Sequence, residues 1–401
     1  KLSIRDLDLK NKRALIRVDL NVPVDKNGTI LDDSRIKSSL ATINYACQKG
    51  AKVILISHFG RPKGKAAEFS LAPIAKRLSE LLKRPVTCAN DTIGKDVQKA
   101  IDTMQSGDIL VLENVRFYPA EEKPELDPSF AKSLASLGDL YINDAFGTAH
   151  RKHTSTTQIA KFFPDKAAMG FLMEKEIAFL GDALVHPKHP FYAICGGAKI
   201  STKLAVLKAL IQKVDALFLA GSMAYTLFKA KGISIGNSIS EDSMLDVARE
   251  IIEECKRKNV ALHLPLDTVA AKSFDNNASF TTFDALTGII EGYQGMDIGA
   301  KTIAAWSKEL VKAKTIFWNG PVGVFEFPNF AKGTFEIAKL LATFKDSITI
   351  CGGGETAQAV QEANCIDSFT HVSTGGGASL EYLEQGTLPG IEALTNKTKQ
   401  T

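Results

Sequence analysis

The chain reads as an α/β protein made of two doubly wound parallel-sheet (Rossmann-like) domains joined by a hinge helix, and three observations carry that reading. Short apolar, β-branched runs alternate with stretches that repeat apolar residues at helical spacing, as in a parallel sheet wrapped by helices. Four of those runs break into glycine just ahead of a helical pattern, at Gly196-Gly197-Ala198-Lys199, Gly221-Ser222-Met223-Ala224, Gly352-Gly353-Gly354-Glu355 and Gly375-Gly376-Gly377-Ala378. A length of 401 residues suits two domains better than one.

In the first half, strands are expected at residues 13–18, 53–57, 109–112 and 140–143, with helices at 34–48, 71–82 and 129–137 between them. The tails of these strands carry the chemistry. They are Asp19-Leu20-Asn21-Val22-Pro23, His58-Phe59-Gly60-Arg61-Pro62, Glu113-Asn114-Val115-Arg116 and Asp144 through Arg151. In a parallel sheet such tails lie side by side at the carboxyl edge, where open α/β sheets bind ligands. Arg61, Arg116, Arg151 and His58 would converge there, joined by Arg35 at the start of the first helix. Guanidinium forks suit phosphate and carboxylate, so a small, highly charged anion is the expected guest. Taken singly, each arginine reads more readily as a solvated surface charge, while His58 and His150 read equally as structural imidazoles and Asp19 and Asn21 as turn residues ahead of Pro23. The run Glu121-Glu122-Lys123-Pro124-Glu125 reads as an exposed loop.

Residues 170–180 form an amphipathic pattern that serves either as a connector between domains or as a peripheral helix of the first one. Beyond it, strands are expected at 191–195, 216–220, 261–264, 315–318, 348–351 and 371–373, with an irregular excursion of short strands over 268–295. Glycines after a strand let the backbone approach a ligand, and the free N–H groups of the following helical turn suit phosphate. Lys199 and Lys203, four residues apart, are expected on one face of the helix after Gly196-Gly197. A cation in that first turn opposes the helix dipole, which makes sense with phosphate nearby. Around Trp318-Asn319-Gly320-Pro321, a tight loop places apolar Val324 and Phe325 beside polar Asn319 and Glu326, a composition suited to one wall of a nucleoside site.

The totals exclude several classes. A net charge of +4 is too small to argue for nucleic acid, and the six cysteines show no C-x-x-C spacing of the kind that holds zinc. No run approaches a membrane span, so a soluble, cytoplasmic protein is expected.

The motifs Arg17-Val18-Asp19-Leu20-Asn21-Val22-Pro23, Ser57-His58-Phe59-Gly60-Arg61-Pro62, Leu112 through Phe117, Asn143 through Arg151, Gly196 through Lys199, Trp318 through Glu326 and Ser373 through Ser379 closely resemble those of the phosphoglycerate kinase family, in family order and along essentially the whole chain. The resemblance implies two similar-sized domains facing each other across a cleft. Residues 1–170 with 388–401 would hold 3-phosphoglycerate or 1,3-bisphosphoglycerate, 171–186 would connect, and 187–387 would hold Mg-ADP or Mg-ATP. By the same carry-over Asp19, Asn21, Arg35, His58, Arg61, Arg116 and Arg151 bind the triose acid. Gly197, Lys199, Lys203, Gly221, Gly299, Asn319, Pro321, Val324, Glu326, Gly352, Gly353, Gly354 and Thr356 serve the nucleotide, while Arg35, Lys199, Gly353 and Gly354 assist transfer. A monomer is expected. The family's usual aspartate after the three glycines is replaced here by Glu355, the expected Mg²⁺ contact, one methylene longer. Ser222 and Ala300 are lesser departures.

The implied reaction moves a phosphoryl group to or from a carboxylate that is already ionised at neutral pH. It needs no general base, which matches a sequence rich in cations and amides but without an evident acid/base dyad. A nicotinamide-dependent dehydrogenase would want an acid at the end of the strand after a glycine turn; those strands end at Ala220-Gly221 and Ser373-Thr374 instead. A non-catalytic scaffold with the same fold is the other alternative, and metal-dependent turnover separates the two.

Overall fold

A computed structural model describes residues 1–397, and its contacts divide the chain into two units, Lys1–Ala178 with Thr387–Thr401, and Phe179–Gly386. Of the expected C-terminal segment 388–401, residues 398–401 lie outside the described residues.

In the first unit β1 (Arg13–Arg17) is followed by α1 (Ser34–Gln48), β2 (Lys52–Ile56), α2 (Ala72–Leu82), β3 (Thr87–Cys88), α3 (Lys95–Thr103) and β4 (Ile109–Val111). Then come α4 (Ser129–Ala135), β5 (Leu140–Asn143), β6 (Ala167–Met169) and α5 (Phe171–Ile177). The six strands pair in parallel in the order β3-β4-β2-β1-β5-β6. Successive residues of β1 feed opposite faces: Ala14 and Ile16 join Val53 and Leu55 in one core, while Leu15 joins Ile54, Ile56 and Tyr141 in the other. That two-faced burial is why the strands read as continuous apolar runs. Strands β3 and β6 were not anticipated, since Thr87-Cys88 is too short to show a pattern and Ala167-Ala168-Met169 lacks β-branched residues. Helix α3, also not anticipated, buries only Val97 and Ile101 among charged neighbours, so its apolar content is low.

The boundary between the units falls in a π-helical turn over Ala178–Asp182, and the second unit goes on with α6 (Ala183–Val185). It continues through β7 (Phe191–Cys195), α7 (Leu204–Ile211), β8 (Ala216–Leu219), α8 (Ser222–Ala230), α9 (Leu245–Arg257) and β9 (Ala261–His263). The excursion forms an antiparallel three-stranded sheet of β10 (Asp267–Ala271), β11 (Phe280–Asp284) and β12 (Gln294–Ile298). After it come α10 (Ala300–Leu310), β13 (Thr315–Asn319), α11 (Lys332–Ala342), β14 (Ile348–Gly352), α12 (Gly354–Glu362), β15 (His371–Val372) and α13 (Gly377–Gln385). A short α14 (Pro389–Glu392) belongs to the first unit. The parallel sheet runs β15-β14-β13-β7-β8-β9 around a core of Ile194, Phe218, Trp306, Ile316 and Trp318. Among the described residues no helix is long and apolar enough to cross a membrane.

Candidate active site

At the carboxyl edge of the first sheet, the tails of β1, β2 and β4 are tied to one another by side chains. Arg35 Nη1, from the first turn of α1, donates to Asp19 Oδ2 at 2.8 Å. Asp19 Oδ1 accepts from the backbone N–H of Asn21 at 3.1 Å, so the turn reading of Asp19 is correct and coexists with its ion pair. Asn21 Oδ1 accepts from Gly60 N at 2.8 Å, and Arg116 Nη1 donates to Gly60 O at 2.6 Å. Arg116 is 8% exposed, its Nη2 lies 3.1 Å from Glu122, and its buried Nε has no hydrogen-bond partner among the described residues. Burial, and beyond it the nearby Arg151, lower the Arg116 pKa, while Glu122 opposes them. A buried guanidinium with an unsatisfied donor suits an anion. Arg151 is half-buried with Nε on His150 Nε2 at 3.3 Å, and Arg61, next to Gly60, is exposed.

His58 is buried, with Nδ1 at 3.1 Å from Arg17 Nη2. Burial first, then the charges of Arg17, Arg116, Arg35 and His153, hold its pKa well below the ordinary value, so the ring is neutral.

One reading of the first unit is corrected. Glu121 does not lie in an exposed loop: it is 0% exposed and accepts from Ser155 N at 2.9 Å and Ser155 Oγ at 2.6 Å. Its charged neighbourhood in sequence hid a partner 34 residues away. Arg17, Ser155 and His153 were also missed as site neighbours. The available signal was an arginine at the end of an apolar strand, a placement that demands partners.

In the second unit the turns after β7 and β13 meet where the strand order reverses, the usual ligand crevice of such sheets. They interlock backbone to backbone. A Cβ on Gly196 would sit 1.8 Å from Pro321 O, and one on Gly320 would sit 2.2 Å from Gly196 O, so both positions require glycine for packing alone. Lys203 Nζ donates to Gly196 O at 2.6 Å and Asn319 Oδ1 at 2.7 Å, and Asn319 Nδ2 donates to Gly352 O at 2.7 Å. Thr356 Oγ1 accepts from Gly320 N at 2.7 Å. Gly353, at φ 94°, leads into α12. Gly197 O accepts from Met223 N at 3.1 Å, which joins the Gly221 turn to the same group.

The expected helix after Gly196-Gly197 begins later. Residues 201–203 form a turn, α7 starts at Leu204, and Lys203 is its N-cap, so Lys199 and Lys203 do not share a helical face. Buried Ile200 extends the apolar spacing of α7 ahead of its first residue, which is why the helix reads as starting earlier. Lys199 is exposed, whereas Lys203 is folded into the loop and its pKa is lowered by burial. Phe325 is 3% exposed against Ala331 and Ala359, so it belongs to the packing beneath the wall; half-buried Val324 and exposed Glu326 remain on it. Gly299 caps α10, and a Cβ there would strike the Asp267 carboxylate at 2.2 Å, which gives it a packing role.

Among the described residues no three His, Cys, Asp or Glu side chains cluster to hold a metal. Glu355, exposed in the first turn of α12, offers one carboxylate. That fits Mg²⁺, which keeps waters and binds through one or two carboxylates plus substrate phosphates.

The phosphoglycerate kinase family model matches residues 4–386. The chain is 51% identical over 396 residues to the phosphoglycerate kinase of Dictyoglomus turgidum, covering 99% of this chain and 98% of that one. It is 50% identical over 398 residues to that of Chlamydia trachomatis serovar L2, covering 98% of each. Among solved structures, the phosphoglycerate kinase from Coxiella burnetii is similar with a TM-score of 0.87 at 40% identity, over 98% of this chain and 97% of that one. The Pyrococcus horikoshii OT3 enzyme gives 0.85 at 34% identity, over 98% of each.

Proposed function

The chain belongs to the phosphoglycerate kinase family and carries out its reversible glycolytic transfer of a phosphoryl group between 1,3-bisphosphoglycerate and ADP, and from that premise we propose how its residues divide the work. The triose acid binds at the first sheet's edge, held by Asp19, Asn21, Arg35, His58, Arg61, Arg116 and Arg151. The observation that carries this is the linked cluster Arg35–Asp19–Asn21–Gly60–Arg116, with a buried, incompletely paired guanidinium beside a neutral imidazole. The nucleotide binds at the second sheet's edge, its phosphates on the Gly352-Gly353-Gly354 turn, Thr356, Asn319 and Lys203, and its nucleoside against Gly197, Gly221, Gly299, Pro321, Val324 and Glu326.

The acceptor carboxylate is ionised without help, so catalysis rests on positioning and on neutralising charge as the phosphoryl group moves. Arg35 and Lys199 supply cations for that charge, and the N–H groups of Gly353 and Gly354 donate to it. Glu355, with nucleotide phosphate oxygens and water, would hold Mg²⁺, which neutralises charge on the phosphate oxygens. Each unit supplies groups for one substrate, so transfer requires the two to be brought together with water excluded, and residues 171–186 are the connecting hinge. The protein works as a monomer in the cytoplasm.

Calorimetric titration tests the assignment. His58→Ala and Arg116→Ala should each lose 3-phosphoglycerate affinity and keep that for ADP. Unchanged 3-phosphoglycerate binding in both would overturn it.

A further inference from the structure

Behind the proposed triose-acid site runs a chain of buried polar side chains. Arg17, the last residue of β1, is 1% exposed. Its Nε donates to Ser155 Oγ at 2.8 Å, Nη1 to Val18 O at 2.5 Å and Nη2 to His58 Nδ1 at 3.1 Å. Ser155 Oγ donates onward to Glu121 Oε1 at 2.6 Å, and Ser155 N to Oε2 at 2.9 Å. Glu121 is itself 0% exposed, in the turn Pro119–Glu121.

The direction of these bonds is forced. A guanidinium only donates, so Nδ1 of His58 accepts, which leaves the ring neutral with its proton on Nε2. The serine hydroxyl accepts from Arg17 and has a single proton, which goes to Glu121. The other charged or titratable groups acting on His58, namely Arg116, Arg35 and His153, are cations or imidazole. Glu121 is the fully buried carboxyl that faces Arg17: burial raises its pKa, Arg17 and the two Ser155 bonds act against that, and Ser155 sets the register between them.

We propose that Glu121 is a positioning residue for the triose acid: through Ser155 it holds Arg17 in place, and Arg17 fixes His58 as a neutral Nε2–H donor for the substrate. This rests on the reading that the edge of the first sheet binds 3-phosphoglycerate. A donor without charge adds direction to a site already rich in cations, where a second tautomer would point an acceptor at an anion.

Three measurements on the full chain test it. In the wild-type protein, ¹⁵N–¹H spectra should show His58 with its proton on Nε2; a proton on Nδ1 would overturn the proposal with no variant needed. Ser155→Ala and Glu121→Gln should raise the KM for 3-phosphoglycerate by roughly tenfold or more, the scale of one hydrogen bond to a charged group, and leave the KM for ATP within about twofold. Both should also shift His58 away from the single tautomer, and Ser155→Thr, which keeps the hydroxyl, should restore tautomer and KM. A folded Ser155→Ala protein with wild-type tautomer and KM would overturn the proposal. His58→Ala separates the two levels. If it leaves the KM for 3-phosphoglycerate unchanged, the site assignment itself fails; if it raises that KM while Ser155→Ala does not, only the positioning chain fails.

Discussion

Arg35 reaches Asp19 across 16 residues, with Nη1 at 2.8 Å from Oδ2, so a partly exposed guanidinium is held over the tail of β1 by a carboxylate that is nearly buried. The pair fixes the fork before substrate arrives, and pre-positioned charge is what stabilises a transferring phosphoryl group. Arg35→Ala should lower kcat by about 10²–10³-fold, or roughly 2.7–4 kcal/mol in the barrier, with little change in nucleotide affinity. Arg35→Lys should recover little, because a single ammonium cannot hold Asp19 and a phosphoryl oxygen together. Steady-state kinetics with ADP binding measured separately checks this; an unchanged kcat removes Arg35 from the mechanism.

Much of this site was legible in the sequence, for a local reason. Strand tails such as Asp19 to Pro23 and glycine turns such as Gly352 to Gly354 are contiguous, and a parallel sheet brings contiguous tails to one edge without further information. What stayed hidden depends on pairs distant in the chain. Glu121 looked like a surface acid because its neighbours are charged, and its burial follows from Ser155. Arg17 finds Ser155 138 residues away. Lys199 and Lys203 read as helical because glycine turns usually open a helix directly and Ile200 continues the apolar spacing ahead of Leu204, where α7 in fact starts.

Lys203 gives a second prediction. Its ammonium holds the β7 and β13 turns together through Gly196 O and Asn319 Oδ1, and it is a candidate phosphate ligand. Lys203→Met should therefore both weaken ADP binding and lower Tm, since Asn319 Oδ1 loses a charged donor in a part-buried loop. Lys199→Met should leave Tm unchanged, because that side chain is exposed. Equal effects on Tm would contradict the different settings of the two lysines.

Glu355 carries a third. With one carboxylate from the protein, metal affinity should depend on it and on the nucleotide together. Glu355→Gln should raise the Mg²⁺ concentration needed for half-maximal turnover, by about tenfold if the contact is direct, while ADP still binds without metal. A coupled assay with Mg²⁺ titrated at fixed nucleotide reads this out. An unmoved midpoint places the ion elsewhere.

Acidification should destabilise the fold through its buried imidazoles. Burial, and then Arg116 and Arg17, depress His153 to about 3, and His58 is lowered in the same direction. The unfolded chain takes up these protons near the ordinary value of 6.5, so the stability contributed by both is present above 6.5 and is lost as pH falls below it, for His153 through about 3. His153→Gln should flatten the fall of Tm between pH 6.5 and about 3, the interval bounded by the two pKa values. The same slope in the variant would show that His153 does not carry it.

Asp144 has the opposite sign. It follows β5, and its Oδ1 accepts from Leu172 N at 2.9 Å and Met173 N at 3.2 Å, which ties the strand tail to the first turn of α5. Burial raises its pKa from 3.8 to about 7, despite those bonds. Folded-state protons are therefore bound where the unfolded chain has released them. The resulting stability is complete below 3.8 and is lost as pH rises through about 7. Asp144→Asn keeps an oxygen for the two N–H groups and carries no charge at any pH. Relative to wild type it should gain stability at pH 8 and gain progressively less toward pH 5. Asp297, also raised to about 7 by burial, remains in the variant, so the wild-type slope should shrink without vanishing. Tm measured from pH 5 to 8 on both proteins decides the matter, and parallel curves would mean that the Asp144 carboxyl keeps an ordinary pKa in the folded chain.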